Sequence, residues 1–305
     1  MEKQIKVMAT GLQFPEGPVA MKDGSVLVSE IRAGRVTRVA ADGTLTTVST
    51  CKGGPNGLAI GPDDALYVCN NGGNSYLPDH FAAMGPAQDY AGGSIQRISI
   101  ETGTAETLYT HCGEHRLSAP NDLVFDQYGG MYFSDFGKKH ARYRDHGAIY
   151  YAHPDGSGIV EVAYQVAAAN GIGLSPAGDV LYVTETETSR LWAFDIAEPG
   201  RINKQPAPSP HGGRLICGLP GYQRLDSMAI DEEGNVCIGT LITGLVTVIS
   251  PDGRVIRKVE MPDTHVTNIC FGGPDMKTAF ITLASSGKLV AMPWWEAGLK
   301  LNFNA

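Results

Sequence analysis

The sequence lacks long runs of basic residues and long runs of apolar residues. It contains 24 Lys and Arg residues against 32 Asp and Glu residues, a formal net charge of -8. An acidic chain without a basic run carries no electrostatic footprint for nucleic acid, so we expect no nucleic-acid partner. No stretch approaches roughly 18 uninterrupted apolar residues, and the N-terminal MEKQIKVMATGLQF lacks the apolar centre of a secretory signal. The sequence therefore predicts a cytoplasmic protein with no membrane contact.

Several short motifs of enzymes and metal sites are also missing. The six cysteines are scattered without CxxC spacing in a chain too large to depend on disulfides, so we interpret them as buried or unpaired thiols. There is no GxSxG, HExxH, GxxxxGKS/T or Asp-x-Asp-x-Asp-Gly motif, and no GxGxxG is followed by a helix pattern. These absences exclude zinc ribbons and disulfide scaffolds, and they leave no standard nucleophile motif to carry the chemistry.

Helical periodicity is nearly absent, and a repeat of short apolar strands takes its place. Six segments superimpose, at an average spacing of about 50 residues: PEGPVAM, PNGLAIG, PNDLVFD, ANGIGLS, LDSMAID and VTNICFG. A polar turn, a second strand and a third strand follow each segment, and five of the six units offer a fourth strand. Four antiparallel strands repeated six times are typical of a β-propeller, so we predict an all-β, six-bladed propeller forming a single domain over residues 1–305.

The two ends of the chain predict how the ring closes. The sixth unit ends in PWWEAGLKLNFNA and has no good fourth strand, whereas residues 5–9 form a spare strand-like segment before the first unit. Pairing this segment with the last blade would cover an exposed sheet edge. We therefore predict that the N-terminal strand completes the sixth blade.

Each of the six segments carries a polar residue at its second position, which we call the anchor. The first strand of a propeller blade lines the central channel, so six equivalent anchors should form a ring on one face. The six anchors are Glu16, Asn56, Asn121, Asn170, Asp226 and Thr267.

Four of these anchors form an all-oxygen set suited to a hard divalent cation. We predict that Glu16, Asn121, Asn170 and Asp226 bind one metal ion. Calcium is the favoured ion because it accepts about 6–8 such ligands. Zinc is less natural because the set contains no Cys or His, and zinc, manganese, magnesium and iron stay as alternatives. Ordinary Asn-Gly turn chemistry is the competing interpretation, but carboxylates or amides at five of six equivalent positions favour a metal site.

The loops between second and third strands should open beside the anchors and form the walls of the site. Two are long, residues 70–93 and 135–147, and both are candidate substrate lids, with a surface insertion as the alternative for the first. From the ring and these loops we predict five substrate-binding residues: Asn56, Asn121, Tyr76, Phe81 and Phe136. The basic stretch KKHARYRDH in the second loop could steer an anionic substrate, or it could be a solvated loop.

The repeats resemble the gluconolactonase/regucalcin-like family, also called the senescence marker protein family. The similarity covers about residues 10–290 and rests on PEGPVAMKDGSVLVSEI, PNDLVFDQYGGMYFSDFG and DSMAIDEEGNVCIGTLITGLVTVISPDG, among others. The resemblance implies a six-bladed propeller that hydrolyses lactones or related esters with one divalent metal at the channel mouth. It assigns the family's metal ligands to Glu16, Asn121, Asn170 and Asp226.

One departure from the family bears on the substrate. Some sugar-lactone members carry an Arg two residues before the Asn of the third blade, where this sequence has Ala119. The expected substrate is therefore a lactone that is smaller or less polar than a sugar lactone.

The expected mechanism is metal-assisted attack of water on the lactone carbonyl. Asp226 is the first candidate for the base and Glu16 the second, while Asp122 is expected to orient a neighbour. Three alternatives stay open: a calcium-dependent phosphotriesterase or arylesterase, a non-catalytic scaffold, and a strictosidine-synthase-like enzyme. The expected partner is a small lactone or ester, and no oligomeric state is predicted.

Overall fold

The structure, a computed structural model, describes residues 5–78 and 83–303. This part of the chain consists of strands and turns and contains no helix, so nothing in it could cross a membrane as an apolar helix. Six antiparallel sheets are arranged as a six-bladed β-propeller, which confirms the predicted architecture. Each blade has four strands counted outward from the axis, and the fourth blade carries one short additional strand.

The strands of the first three blades follow the predicted repeat. Blade 1 comprises Pro15–Ala20, Val26–Glu30, Arg35–Val39 and Leu45–Thr50. Blade 2 comprises Pro55–Ile60, Leu66–Asn70, Ser94–Ile98 and Ala105–Tyr109. Blade 3 comprises Pro120–Phe125, Met131–Asp135, Gly147–Ala152 and Ile159–Val166. Two small hairpins lie outside the blades, Asn74–Tyr76 with Ala83–Pro86 and His111–Cys112 with His115–Arg116.

The last three blades continue the pattern. Blade 4 comprises Ala169–Leu174, Val180–Glu185, Arg190–Glu198 and Arg214–Gly218, with the additional strand Arg201–Ile202. Blade 5 comprises Arg224–Ile230, Val236–Leu241, Leu245–Ile249 and Val255–Glu260. Blade 6 comprises Val266–Gly272, Thr278–Leu283 and Lys288–Pro293, completed by Lys6–Ala9 from the N-terminus.

The N-terminal strand closes the ring as predicted. Lys6–Ala9 runs antiparallel to Lys288–Pro293, with Lys6 opposite Ala291 and Val7 opposite Val290. An apolar cluster then joins the sixth blade to the first, with Phe280 and Leu289 packed against Val26 and Val28. Comparable clusters join the other neighbouring blades, so the described core lies between the blades rather than on the axis.

The first strands share an irregularity that matters for the site. In every blade the pairing of the first strand with the second skips a residue near the anchor, as between Glu16 and Val19 in blade 1. A β-bulge of this kind breaks the strict alternation of side chains and re-aims the residues within it. The anchor and the residue after it can therefore both reach the channel.

The C-terminal segment crosses the channel at the end opposite the anchors. The Leu299 N–H donates to the carbonyl of Ile230 at 2.8 Å, and the Asn302 side chain donates to the carbonyl of Phe125 at 2.9 Å. A cavity of about 350 Å³ separates this segment from Asp122 and Asn268 near the anchors. The opposite face, on which the first strands begin and the anchors lie, is here called the anchor face.

Candidate active site

All six anchors are buried where the first strands begin. Glu16 of blade 1 accepts a hydrogen bond at Oε2 from the Asn268 side chain, at 3.1 Å, and another from the N–H of Gly17, at 3.0 Å. Burial raises the pKa of Glu16 well above its usual value, and the charges of Asp226 and Asp122 raise it further. Three carboxylates from blades 1, 3 and 5 thus influence one another across the axis.

The two aspartates of this group are also held in unfavourable surroundings for a charge. Burial raises the pKa of Asp226 to about 7, and the charge of Asp122 adds to the increase, whereas a hydrogen bond from Asn170 lowers this pKa. Burial likewise raises the pKa of Asp122 to about 7, although hydrogen bonds from the Leu123 backbone and from Ser227 lower it. None of the three carboxylates forms an ion pair with a Lys, Arg or His in the described ranges.

The amide anchors differ in how their oxygen atoms are used. Asn170 donates to the Thr186 hydroxyl at 3.0 Å and accepts from the Ser227 hydroxyl at 3.2 Å. The Oδ1 atoms of Asn121 and Asn56 are buried and have no hydrogen-bond partner within the described chain. A buried carbonyl oxygen without a partner is costly, so these two oxygen atoms are suited to contact a ligand.

This donor set fits a hard divalent cation. Over residues 5–78 and 83–303, no three His, Cys, Asp or Glu side chains form a ligand group by themselves. A metal ion at the ring must therefore draw on amide oxygens as well as carboxylates, as the sequence predicted for Glu16, Asn121, Asn170 and Asp226. Oxygen ligands with excess negative charge suit calcium better than zinc.

The sixth anchor is used differently from the others. The Thr267 hydroxyl donates to the carbonyl of Pro15 at 3.0 Å and lies 2.9 Å from the Thr282 hydroxyl. It therefore joins the sixth blade to the first and is not available to a ligand. Asn268, the next residue in the bulge, contacts Glu16 instead.

Apart from Asp122, the residue after each anchor was missed from the sequence, although a signal was present. This position is Asp122, Ser227 or Asn268 in three blades and Gly17, Gly57 or Gly171 in the other three. A Cβ on Gly57 would lie 2.6 Å from the carbonyl oxygen of Asn121, and one on Gly171 would lie 2.7 Å from that of Asp226. The glycines thus allow neighbouring anchors to approach, and the three polar residues form a second layer below them.

A polar residue at the end of the second strand supports the anchor backbone in four blades, and this pattern was missed as well. Its side chain accepts a hydrogen bond from the backbone N–H of a residue two or three positions before the anchor in the sequence. The bonds are Gln13 N–H to Glu30 (2.8 Å), Gly54 N–H to Asn70 (2.9 Å), Ala119 N–H to Asp135 (2.7 Å) and Ala167 N–H to Glu185 (2.9 Å). The repeated endings SVLVSE, ALYVCN, GMYFSD and VLYVTE carry the signal.

The predicted loop residues are placed on the anchor face, with one exception. Tyr76 is half-buried with the Arg32 guanidinium 5.2 Å from its ring centre. Phe136 donates its N–H to the carbonyl of Ala119, two residues before Asn121, at 2.9 Å. Phe81 lies outside the described residues.

The two long loops are tied together by a buried lysine. Lys138 Nζ donates to the carbonyls of Asn71 and Gly73, both at 2.7 Å, and to Oδ1 of Asn74 at 2.9 Å. The ammonium group also lies 4.6 Å from the ring centre of Tyr90, and burial lowers the pKa of Lys138 to about 8. This lysine of the basic stretch KKHARYRDH is therefore a structural tie between loops and not a solvated charge.

Comparisons with known proteins agree on a family. The family model described as the SMP-30/Gluconolactonase/LRE-like region matches residues 14–285. Lactonase drp35 of Staphylococcus saprophyticus is 30% identical over 264 residues, which cover 86% of this chain and 74% of that protein.

Solved structures support the fold. A gluconolactonase from Xanthomonas campestris superimposes with a TM-score of 0.75 at 22% identity, covering 96% of this chain and 90% of its own. A calcium-binding regucalcin from Agrobacterium tumefaciens superimposes with a TM-score of 0.75 at 16% identity, covering 98% of this chain and 97% of its own. At these identities the likeness establishes the shared fold alone.

Proposed function

This chain belongs to the SMP-30/gluconolactonase/LRE-like family, and from that premise we propose that it is a divalent-metal-dependent hydrolase that opens a lactone ring. The observation that carries the proposal is the group of three buried carboxylates, Glu16, Asp122 and Asp226, beside the unpartnered oxygen of Asn121. The names of the relatives, lactonase and gluconolactonase, support the reaction class. Calcium is the proposed ion, and a calcium-binding structural neighbour supports it.

The proposed ligands are Glu16, Asn121, Asn170 and Asp226. When bound there, a divalent ion supplies a Lewis acid that polarises the lactone carbonyl and stabilises negative charge on its oxygen. Asp226 is the proposed base that accepts the proton of the attacking water. Beside a bound divalent ion the Asp226 carboxyl would be ionised at neutral pH, as a base must be.

The remaining residues would hold the parts of the site in place. Asn268 fixes Glu16 through its hydrogen bond, and Asp122 adds negative charge beneath the anchors. Asn56 and Asn121 present unpartnered buried oxygen atoms that can receive hydroxyl or water donors. Tyr76 and Phe136 are proposed to flank the substrate, and Phe81 stays a prediction.

The surroundings of Ala119 support a substrate with fewer hydroxyl groups than a sugar lactone. Its methyl group is buried, its N–H is bonded to Asp135 and its carbonyl is bonded to Phe136. The strand before Asn121 thus carries a buried methyl group and no cation at this position. A substrate hydroxyl would find no charged donor there, which disfavours a polyhydroxylated ring.

A cytoplasmic location stays a proposal as well. All six cysteines are free, three of them fully buried, which is the usual state of thiols in a reducing compartment.

A substrate panel tests the proposed function. We expect calcium-loaded protein to hydrolyse four- to six-carbon lactones, with a lower kcat/KM for gluconolactone than for lactones with fewer hydroxyl groups. Acid release followed with a pH indicator measures all substrates alike, including aryl esters and phosphotriesters. Dominant phosphotriester hydrolysis would assign the site to the alternative ester chemistry, and no hydrolysis of any substrate would favour the scaffold.

A second prediction concerns calcium, pH and stability. Burial raises the pKa of Asp122 and Asp226 in the folded protein from about 4 to about 7, so their protonated forms favour folding. The stability they provide is complete below about pH 4 and is lost as pH rises toward 7. We therefore expect calcium, which would bind ionised Asp226 and be attracted by ionised Asp122, to raise Tm more at pH 8 than at pH 5.5.

Melting curves in calcium and in chelator, recorded at both pH values, measure this difference. Asp226→Asn removes one of the two carboxylates and should weaken the pH dependence in chelator. An equal calcium effect at both pH values would contradict the proposed site.

A further inference from the structure

Three charged side chains form a bridge along the rim of the anchor face, across blades 3, 4 and 5. Arg144 lies in the second-to-third loop of blade 3, Glu187 in the equivalent loop of blade 4, and Arg224 at the start of blade 5. Arg144 Nη2 lies 3.0 Å from Glu187 Oε1, and Arg224 Nη2 lies 3.2 Å from Glu187 Oε2. Two guanidinium groups share one carboxylate, so the three side chains of this rim bridge carry one excess positive charge, while the neighbouring Asp145 also interacts with Arg144.

The rim bridge stands over the Asn121, Asn170 and Asp226 side of the ring. Arg224 begins the strand that carries Asp226 and precedes this anchor by two residues, so it lies at the anchor-face end of the strand. Arg144 lies over the Phe136 ring, with its guanidinium carbon 4.5 Å from the ring centre. Phe136 in turn is hydrogen-bonded to the strand that carries Asn121.

The two arginines differ in how firmly they are held. Arg144 donates to the carbonyls of Phe136, at 3.2 Å, and Gly137, at 3.0 Å, in addition to Glu187. Glu187 is the only carboxylate paired with Arg224 in the part of the chain that the structure describes, and 35% of the Arg224 side chain is exposed. Because a guanidinium has five N–H donors, Arg224 keeps donors for an incoming acceptor.

The sign of the charge changes between the rim and the ring. The three carboxylates of the ring below, Glu16, Asp122 and Asp226, would still carry one excess negative charge with a calcium ion bound, whereas the rim bridge is positive. An anionic substituent is repelled by the ring carboxylates and attracted to the rim, while a neutral ester group is free to approach the ring. The field would therefore orient a substrate that carries both groups. Exposed ion pairs contribute little to stability, so a stabilising role alone does not account for the arrangement.

We propose that Arg224, positioned by Glu187 and supported by Arg144, binds a carboxylate substituent of the substrate, so that the substrate class is a lactone that bears a carboxylate. The hydrolysis of such a lactone rests on the proposed function, whereas the binding of its carboxylate does not. Guanidinium groups recognise carboxylates through paired, charge-assisted hydrogen bonds. Hydrolysis adds water across the ester bond and gives a hydroxy dicarboxylic acid, whose first carboxylate stays at the rim.

A binding experiment tests the inference without hydrolysis. Calcium-loaded protein is titrated calorimetrically with tetrahydrofuran-2-carboxylate and with its neutral carboxamide, neither of which contains an ester. We expect the carboxylate to bind about 10–100-fold more tightly, as one charge-assisted pair provides. Arg224→Gln should remove this preference, and Arg224→Lys should retain part of it.

Arg97→Gln is the matched control for the binding experiment. Arg97 is a similarly exposed arginine in ion pairs, with Asp63 at 2.6 Å and Glu106 at 3.0 Å, but Asp63 lies in a turn at the far end of the channel. This variant should leave the carboxylate preference unchanged. Equal binding of carboxylate and carboxamide, or no binding of either, overturns the inference. If inorganic phosphate binds more tightly than the carboxylate and this binding depends on Arg224, the site recognises a phosphate instead.

A kinetic experiment separates this inference from the proposed function. The lactone 5-oxotetrahydrofuran-2-carboxylate is compared with its carboxamide. We expect Arg224→Gln to raise KM for the carboxylate about 10–100-fold with little change in kcat, and to leave the carboxamide unaffected. Equal effects on both lactones would show a purely structural role. If neither lactone is hydrolysed while the binding preference persists, the proposed function fails and the carboxylate site stands.

Discussion

Replacement of Asp226 by asparagine is expected to reduce kcat by about 10²–10⁴-fold, which is the usual contribution of general-base catalysis. Asparagine keeps the shape of the side chain and one oxygen atom, so the hydrogen bonds around Asn170 and the strand pairing of blade 5 should persist. The variant loses the carboxylate that can accept the proton of the attacking water. Steady-state kinetics at saturating calcium measure the loss apart from any change in metal affinity.

Asp231→Asn provides a matched control for this variant. Asp231 follows the same strand by one residue and is equally buried, but it lies at the other end of the channel. Its carboxylate accepts the N–H groups of Glu233 and Asn235, at 3.0 and 2.8 Å. We expect this control to lower Tm without reducing kcat.

The kinetics of Asp226→Asn can also contradict the assignment of the base. If excess calcium restores the wild-type kcat, Asp226 acts only by holding the ion. Glu16→Gln, measured in the same way, would then identify Glu16 as the base, since its carboxylate is the other buried anchor with a raised pKa.

The fold could be predicted from the sequence because one pattern recurs in every blade. Each repeat has a polar anchor, a largely buried first strand, a turn and a largely buried second strand. This order is typical of a propeller blade and does not depend on the exact side chains. Closure by the N-terminal strand followed from counting strands in the sixth unit. Both predictions depend on local periodicity, which a single sequence contains.

The site was predicted less completely, for a physical reason. Strict alternation in a strand allows one channel-facing residue where the bulge presents two. The interpretation therefore selected Thr267, whose hydroxyl is used between strands, and gave Asn268 no role. It also gave Asp122 only a supporting role, although its charge lies within the group formed by Glu16 and Asp226.

Contacts between loops of different blades were beyond sequence reasoning altogether. The pairing of Arg144 and Arg224 through Glu187 joins residues up to 80 positions apart, and nothing in the local pattern of any one loop indicates it. The burial of Lys138 beneath the second-blade loop is another such contact. Long-range side-chain pairs of this kind depend on how the blades are packed, which repeats alone do not specify.

Deletion of the first nine residues is expected to lower Tm by at least roughly 5 °C, because it removes the outer strand of blade 6 and leaves Lys288–Pro293 as an open edge. The deletion also removes Ala9, which is buried, and Met8, which packs against the cluster between blades 6 and 1. An unpaired edge strand invites association between molecules, so the variant should elute partly as larger species in size-exclusion chromatography.

Deleting only residues 1–4 is the control for this truncation, because it shortens the chain but leaves the strand Lys6–Ala9 to pair. A synthetic peptide with the sequence KQIKVMATG provides a second test: added in excess to the truncated protein, it should occupy the open edge and restore part of the lost Tm by mass action. The restoration should increase with peptide concentration. It should fail for a peptide with proline at the positions of both Lys6 and Val7, because the N–H of one of these two residues must face the partner strand and proline has none. A melting curve unchanged by the nine-residue deletion would show that the strand pairing contributes nothing to the closed ring.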